Sequence, residues 1–110
     1  MSDKYILDER GEPAPCEDIR AWGKWFETDE RRVVRRNTFT RSGVEVTVST
    51  VFLGLDHSWG IGPPVLWETM IFGLGDDDDH QQRYTSRDEA IATHERLVSV
   101  LLDSDNCPYA

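Results

Sequence analysis

Three polar groups interrupt otherwise apolar rows in this chain, and any acid–base, ligand-binding or metal chemistry would have to use them. His94 is the first. In SRDEAIATHERLVSVLL, residues Ala90, Ile91, Leu97, Val98 and Leu101 fall on one side of a helix turning about 100° per residue, and His94 sits inside that stripe. It is either a core imidazole satisfied by a carbonyl or buried carboxylate, or a pocket-lining acid, base or ligand. Glu68 is the second. Alternation in VLWETMIF puts Leu66, Glu68, Met70 and Phe72 on one face of a strand, so a carboxylate breaks an apolar row. If that face meets the helices, Glu68 needs His94 or an arginine as partner, because an unpaired buried carboxylate is very costly. If it meets solvent, Met70 and Phe72 become the anomalies. Asp56 and His57 are the third group. They open the loop 56–64, in which Trp59 would set an aromatic ring beside the imidazole. Asp56 there either caps loop backbone, leaving His57 exposed, or joins His57 at the rim of a binding site.

Charge clusters offer a further chemistry. Residues 31–41 (RRVVRRNTFTR) hold five arginines and no acid, whereas residues 76–79 are four aspartates in a row. Both segments fit solvated faces, and a sharper reading has Arg35 and its neighbours grip an anionic ligand bidentately. Metal binding finds little in the spacing. His57, His80 and His94 show no i, i+4 relation, and the aspartate run lacks the glycine and terminal glutamate of an EF-hand loop. An Asp56/His57/His94 site would be reachable, but nothing demands it. Phosphate loops, H-E-x-x-H and G-x-S-x-G elbows do not occur. We therefore assign no catalytic residue, metal or cofactor from the sequence.

The elements that must position these groups read as follows. Tyr5–Leu7 is a short strand closed by the turn-rich DERGEPAP. From Pro15 to about Phe26, Ile19, Trp22 and Phe26 mark a helix with Trp25 beside the stripe and Glu17 and Asp18 at its positive end. Val33 to Thr40 is a strand, Arg41-Ser42-Gly43 a hairpin turn, and Val44, Val46 and Val48 alternate along the next strand. Val65 to Phe72 is a second apolar strand, 74–80 an acidic loop, and Gln81 to Tyr84 a short edge strand. Ser86 with Glu89 forms a capping box, starting a helix that runs to about Leu102. The fold class predicted is α+β: an antiparallel meander sheet of about four strands with two helices packed on one face.

Composition bounds the rest. At 110 residues we expect one domain over 1–110, with an ordered core from about 5 to 102 and a tail at 103–110. A net charge of −9 argues against general nucleic-acid binding, which needs excess lysine and arginine. No apolar run reaches membrane-spanning length and no signal peptide opens the chain, so we expect a cytoplasmic protein. Cys16 and Cys107 are then expected to be free thiols.

The segments YILDERGEPAP, AWGKWFE, VSTVFLGLDHSWGIGPPVLWETMIFG and RYTSRDEA, from about Tyr5 to Leu102, resemble a family of small uncharacterised proteins encoded by bacteriophages and prophages. The central STVFLGLDH…GPPVLWETMIFG block carries most of that resemblance. Family-like positions are Trp25, Phe26, Glu27, Thr50, Asp56, His57, Pro63, Pro64, Glu68, Tyr84 and His94, while the four-aspartate run departs from the pattern. The resemblance implies a phage accessory protein acting in the host cytoplasm. The leading expectation is a non-enzymatic protein that binds a host protein or small ligand through the 56–64 loop, Glu68 and His94. One alternative is a homo-oligomer sequestering an anionic nucleotide with arginines of 31–41 and stacking from Trp59 or Trp67. The other is an enzyme using His94 with Glu68, or a histidine-based metal site.

Overall fold

The computed structural model describes residues 3–58, 62–73 and 81–106, with side chains up to residue 102. Chain order is β1 (Tyr5–Leu7), β2 (Pro13–Pro15), α1 (Ile19–Thr28), a 3₁₀ turn (Glu30–Arg32), β3 (Val33–Arg41), β4 (Val44–Phe52), β5 (Trp67–Phe72), β6 (Gln81–Tyr84) and α2 (Arg87–Asn106). Strands β3-β4-β5-β6 form one antiparallel meander sheet, and β1-β2 form a separate hairpin. This is the expected α+β fold.

Local chemistry explains the boundaries. The β3–β4 turn places Ser42 at φ 52° and Gly43 at φ 81°, the paired left-handed residues of a two-residue hairpin loop. Asp18 caps α1 by accepting from the amides of Arg20 and Ala21, so the helix starts at Ile19 and not at Pro15. Ser86 Oγ accepts from the Glu89 amide at 3.3 Å, as its capping role requires. The helix it starts continues to Asn106, so part of the expected tail is helical. Reading DERGEPAP only as a turn missed β2. Asp8 Oδ1 accepts from the amides of Arg10 and Glu12, and Gly11 takes φ 80°, which folds Glu9-Arg10-Gly11 into a tight loop and brings Pro13–Pro15 back along β1.

Register decides the faces. Thr50 pairs with Thr69 and Arg35, and Val48 pairs with Ile71 and Asn37, so these side chains share one face. Helix α2 covers that face. Its Leu97, Val98 and Leu101 pack on Val46, Val48 and Ile71. At the other end Ala90 joins Leu7, Phe52, Leu66, Trp67 and Tyr84. Helix α1 reaches the same end through Trp25, whose ring meets Phe52 edge-on at 5.7 Å. It buries less than its aromatic stripe predicts: Trp22 and Phe26 stack on each other half-buried, and Ile19 is 65% exposed. The Trp22 indole N–H donates to the Gly54 carbonyl at 3.0 Å, fastening α1 to the chain leaving β4.

Candidate functional site

His94 is completely buried where α2 crosses the sheet. Its Nε2 lies 2.7 Å from Asn37 Oδ1, and its Nδ1 2.7 Å from Thr50 Oγ, which in turn is 2.6 Å from Thr69 Oγ. Asn37 presents a carbonyl oxygen, so Nε2 carries the proton and Nδ1 accepts from the Thr50 hydroxyl. Thr50 then accepts from Thr69. The chain of donors runs one way, from β5 through β4 and the imidazole to β3. Burial, reinforced by the positive charge of Arg35 and opposed by Glu95, lowers the His94 pKa below its ordinary value. His94 is thus a neutral core group whose two nitrogens are both engaged, with the Thr50 hydroxyl and the Asn37 side-chain carbonyl in place of the expected backbone carbonyl or carboxylate.

Glu68 does not meet it. The residue pairs with Val51 and Arg83, on the sheet face turned away from α2, so the expected convergence of Glu68 with His94 fails by one strand register. Glu68 is nonetheless 7% exposed, and its Oε2 accepts from Arg83 Nε at 2.8 Å and Gln81 Nε2 at 2.6 Å. An arginine is indeed its partner. Of the two row anomalies, Phe72 is 45% exposed and Met70 half-buried.

Asp56 works on its own loop. Its Oδ1 accepts from the amides of Ser58 (2.8 Å) and Val65 (3.0 Å), and Oδ2 from the Ser58 hydroxyl (3.0 Å). Partial burial opposes the charged form, but these donors together outweigh it and hold the carboxyl below its ordinary range. The half-buried His57 donates its amide to the Val65 carbonyl. Asp56 and His57 thereby close the loop's neck. Trp59, His80 and the aspartate run 76–79 lie outside the described residues. Among the described residues, no three histidine, cysteine, aspartate or glutamate side chains are grouped to hold a metal.

Three of the five arginines in 31–41 are engaged, while Arg41 Nε is buried with no acceptor among the described residues. Arg35 pairs with Glu95 of α2 across the surface. Arg32 lies over the Phe26 ring, 5.3 Å from its centre. Arg31 forks onto Asp29 (2.8 Å) and also donates to the carbonyls of Asp8 (2.6 Å) and Leu7 (3.1 Å), locking the β1–β2 hairpin to the 3₁₀ turn. That fork lowers the Asp29 pKa and raises that of Arg31.

A concavity lies elsewhere, lined by none of Arg35, Asp56, His57, Glu68 and His94. A cleft of about 760 Å³ opens between the β1–β2 turn and the start of α2, within the range of roughly 300–1,000 Å³ usual for small-molecule sites. Tyr5, Leu7, Leu66 and Trp67 supply apolar lining; Arg10 and Glu12 stand on the hairpin side, Arg87 and Asp88 on the helix side. Trp67 is 4% exposed, and its indole N–H finds no acceptor among the described residues. The side chains of Arg10, Glu12, Arg87 and Asp88 form no hydrogen bond or ion pair among the described residues, although Arg10 lies close enough to Asp8 to lower its pKa modestly, behind the larger pull of the Glu12 amide. Sequence signals for both walls existed, in the Asp8–Gly11 turn and the Ser86 capping box. Their confrontation across the end of the sheet has no sequence signature.

No protein-family model matches the chain, and no curated protein or solved structure is significantly similar to it.

Proposed function

We propose that this protein is a non-enzymatic small-ligand-binding protein, taking a charged ligand with an apolar body into the cleft between the β1–β2 turn and the start of α2. The supporting observation is that the cleft joins an apolar lining to four charged side chains that make no hydrogen bond or ion pair among the described residues. Such a combination of apolar surface and few convergent polar groups is what small-molecule sites use. The setting proposed is that of a phage accessory protein in the host cytoplasm, on the resemblance of the central block. Binding is favoured over catalysis because the buried imidazole spends both nitrogens inside the core, and Glu68 lies across the sheet from it. A binding surface made of the 56–64 loop, Glu68 and His94 draws less support, since Asp56 is spent on its own loop and His94 is sealed. The nucleotide-sponge alternative draws less support. Trp67 offers little exposed ring for stacking, and Arg31 already gives its guanidinium to Asp29 and two carbonyls.

Amide-resolved NMR titration with a panel of small charged and amphipathic molecules tests this reading. Ligands should shift the amides of Gly11, Thr85 and Arg87, and an Arg10→Ala/Arg87→Ala double variant should lose the response while keeping its fold. If no probe at millimolar concentration moves those amides, the cleft is not a binding site.

A further inference from the structure

The ligand class follows from the sum of charges in the cleft, and this inference rests on the binding reading above. Arg31 also lines the cleft, but Asp29 neutralises it at 2.8 Å, so it adds little net field. What remains is one guanidinium and one carboxylate on each wall: Arg10 with Glu12 on the hairpin turn, Arg87 with Asp88 on the first turn of α2. These four charges cancel, and Asp8, close enough to Arg10 and Arg31 to feel their charge, further weakens any pull on a pure anion. With a screening length of about 8 Å at physiological salt, a ligand inside one cleft feels both signs together. A phosphate-like dianion would gain from the arginines and lose against the carboxylates, and Asp88 with Glu89 already occupies the helix's positive end. A molecule bearing both charges gains from both.

We infer that the cleft takes a zwitterion, a free α-amino acid or a dipeptide, with its apolar side chain on the more accessible Tyr5, Val33 and Val34 lining. The ligand's carboxylate meets a guanidinium and its ammonium a carboxylate, so blocking either end removes one exposed ionic contact. Such a contact corresponds to at most about a fivefold change in affinity.

The test is an NMR titration of the whole chain with leucine, leucyl-leucine, N-acetylleucine, leucine amide and phenyl phosphate, read at Gly11 and Thr85. Leucine or leucyl-leucine should bind about fivefold more tightly than either blocked form, and their ranking separates a free amino acid from a dipeptide. A Glu12→Gln/Asp88→Asn variant should lose the preference over N-acetylleucine, keep that over leucine amide, and bind phenyl phosphate more tightly than wild type does. If wild type binds phenyl phosphate or N-acetylleucine as tightly as the zwitterions, the zwitterion is overturned while the cleft stands as a site. If none of the five moves either amide, both readings fall.

Discussion

Replacing Thr50 by valine should destabilise this protein by about 2–4 kcal/mol, although the two side chains have nearly the same shape. The Thr50 hydroxyl sits in the middle of the buried donor chain, 2.7 Å from His94 Nδ1 and 2.6 Å from Thr69 Oγ, with Thr50, Thr69 and His94 all fully buried. Valine leaves the imidazole nitrogen without its donor and the Thr69 hydroxyl without its acceptor. Each buried orphan costs about 1–3 kcal/mol, and the added methyl returns somewhat under 1 kcal/mol. Thr69→Val should be milder, about 1 kcal/mol, because it removes the terminal donor and leaves the Thr50 hydroxyl still bonded to His94. The double variant should therefore cost less than the sum of the single ones, since the Thr69 orphan disappears with its side chain. Urea unfolding at pH 8 measures all three, with the midpoint moving and the slope unchanged. A Thr50→Val cost below about 0.5 kcal/mol, or strict additivity of the pair, would refute this account of how the imidazole is satisfied.

Three further outcomes follow from the same geometry. Because the folded His94 has a pKa below 6.5, the unfolded chain binds the proton first, so stability should fall as pH drops from 6.5 toward the folded value and level off beneath it. The His94 ring resonance should accordingly titrate below pH 6.5; a midpoint at or above that value would contradict a sealed neutral imidazole. Gly73→Ala should prevent folding or cost at least 3 kcal/mol, about the upper end of what backbone strain alone carries, since Gly73 has φ 97° and an added Cβ would lie 2.1 Å from the Glu45 carbonyl oxygen; circular dichroism and urea melts decide it. Asp56→Ala should cost about 1–2 kcal/mol and speed hydrogen exchange at the Ser58 and Val65 amides, whose acceptor it removes; unchanged exchange there would show that the carboxylate does not brace the loop.

Much of the architecture was legible because it is written in local chemistry. The valine alternation of β4, the Ser42-Gly43 turn and the Ser86 cap each act over a few residues, and each appears where its residues predict. The aromatic stripe of α1 was recognised, but its depth of burial was not, since Ile19 shows that a periodic face need not find something to cover it. The DERGEP stretch misled for a different reason. Its turn residues fold as a turn, but β2 is a strand only because β1 lies beside it, and Pro13-Ala-Pro15 has almost no strand propensity of its own.

For the site, the sequence by itself determined which residues share a face and left open which face would be covered. Period-two alternation puts Glu68 with Met70 and Phe72, and helical periodicity puts His94 with Ala90 and Leu97, whatever the tertiary arrangement. Whether those rows confront each other depends on which side of the sheet α2 crosses. The pairing of Thr50 with Thr69 places Glu68 on the far side, because moving one residue along a strand reverses the direction of the side chain. Only the tertiary structure turned His94 into a sealed link between threonines and an asparagine, gave Glu68 to Arg83, and set Arg10 and Glu12 opposite Arg87 and Asp88. These are encounters between elements distant in sequence, and local periodicity holds no information about them.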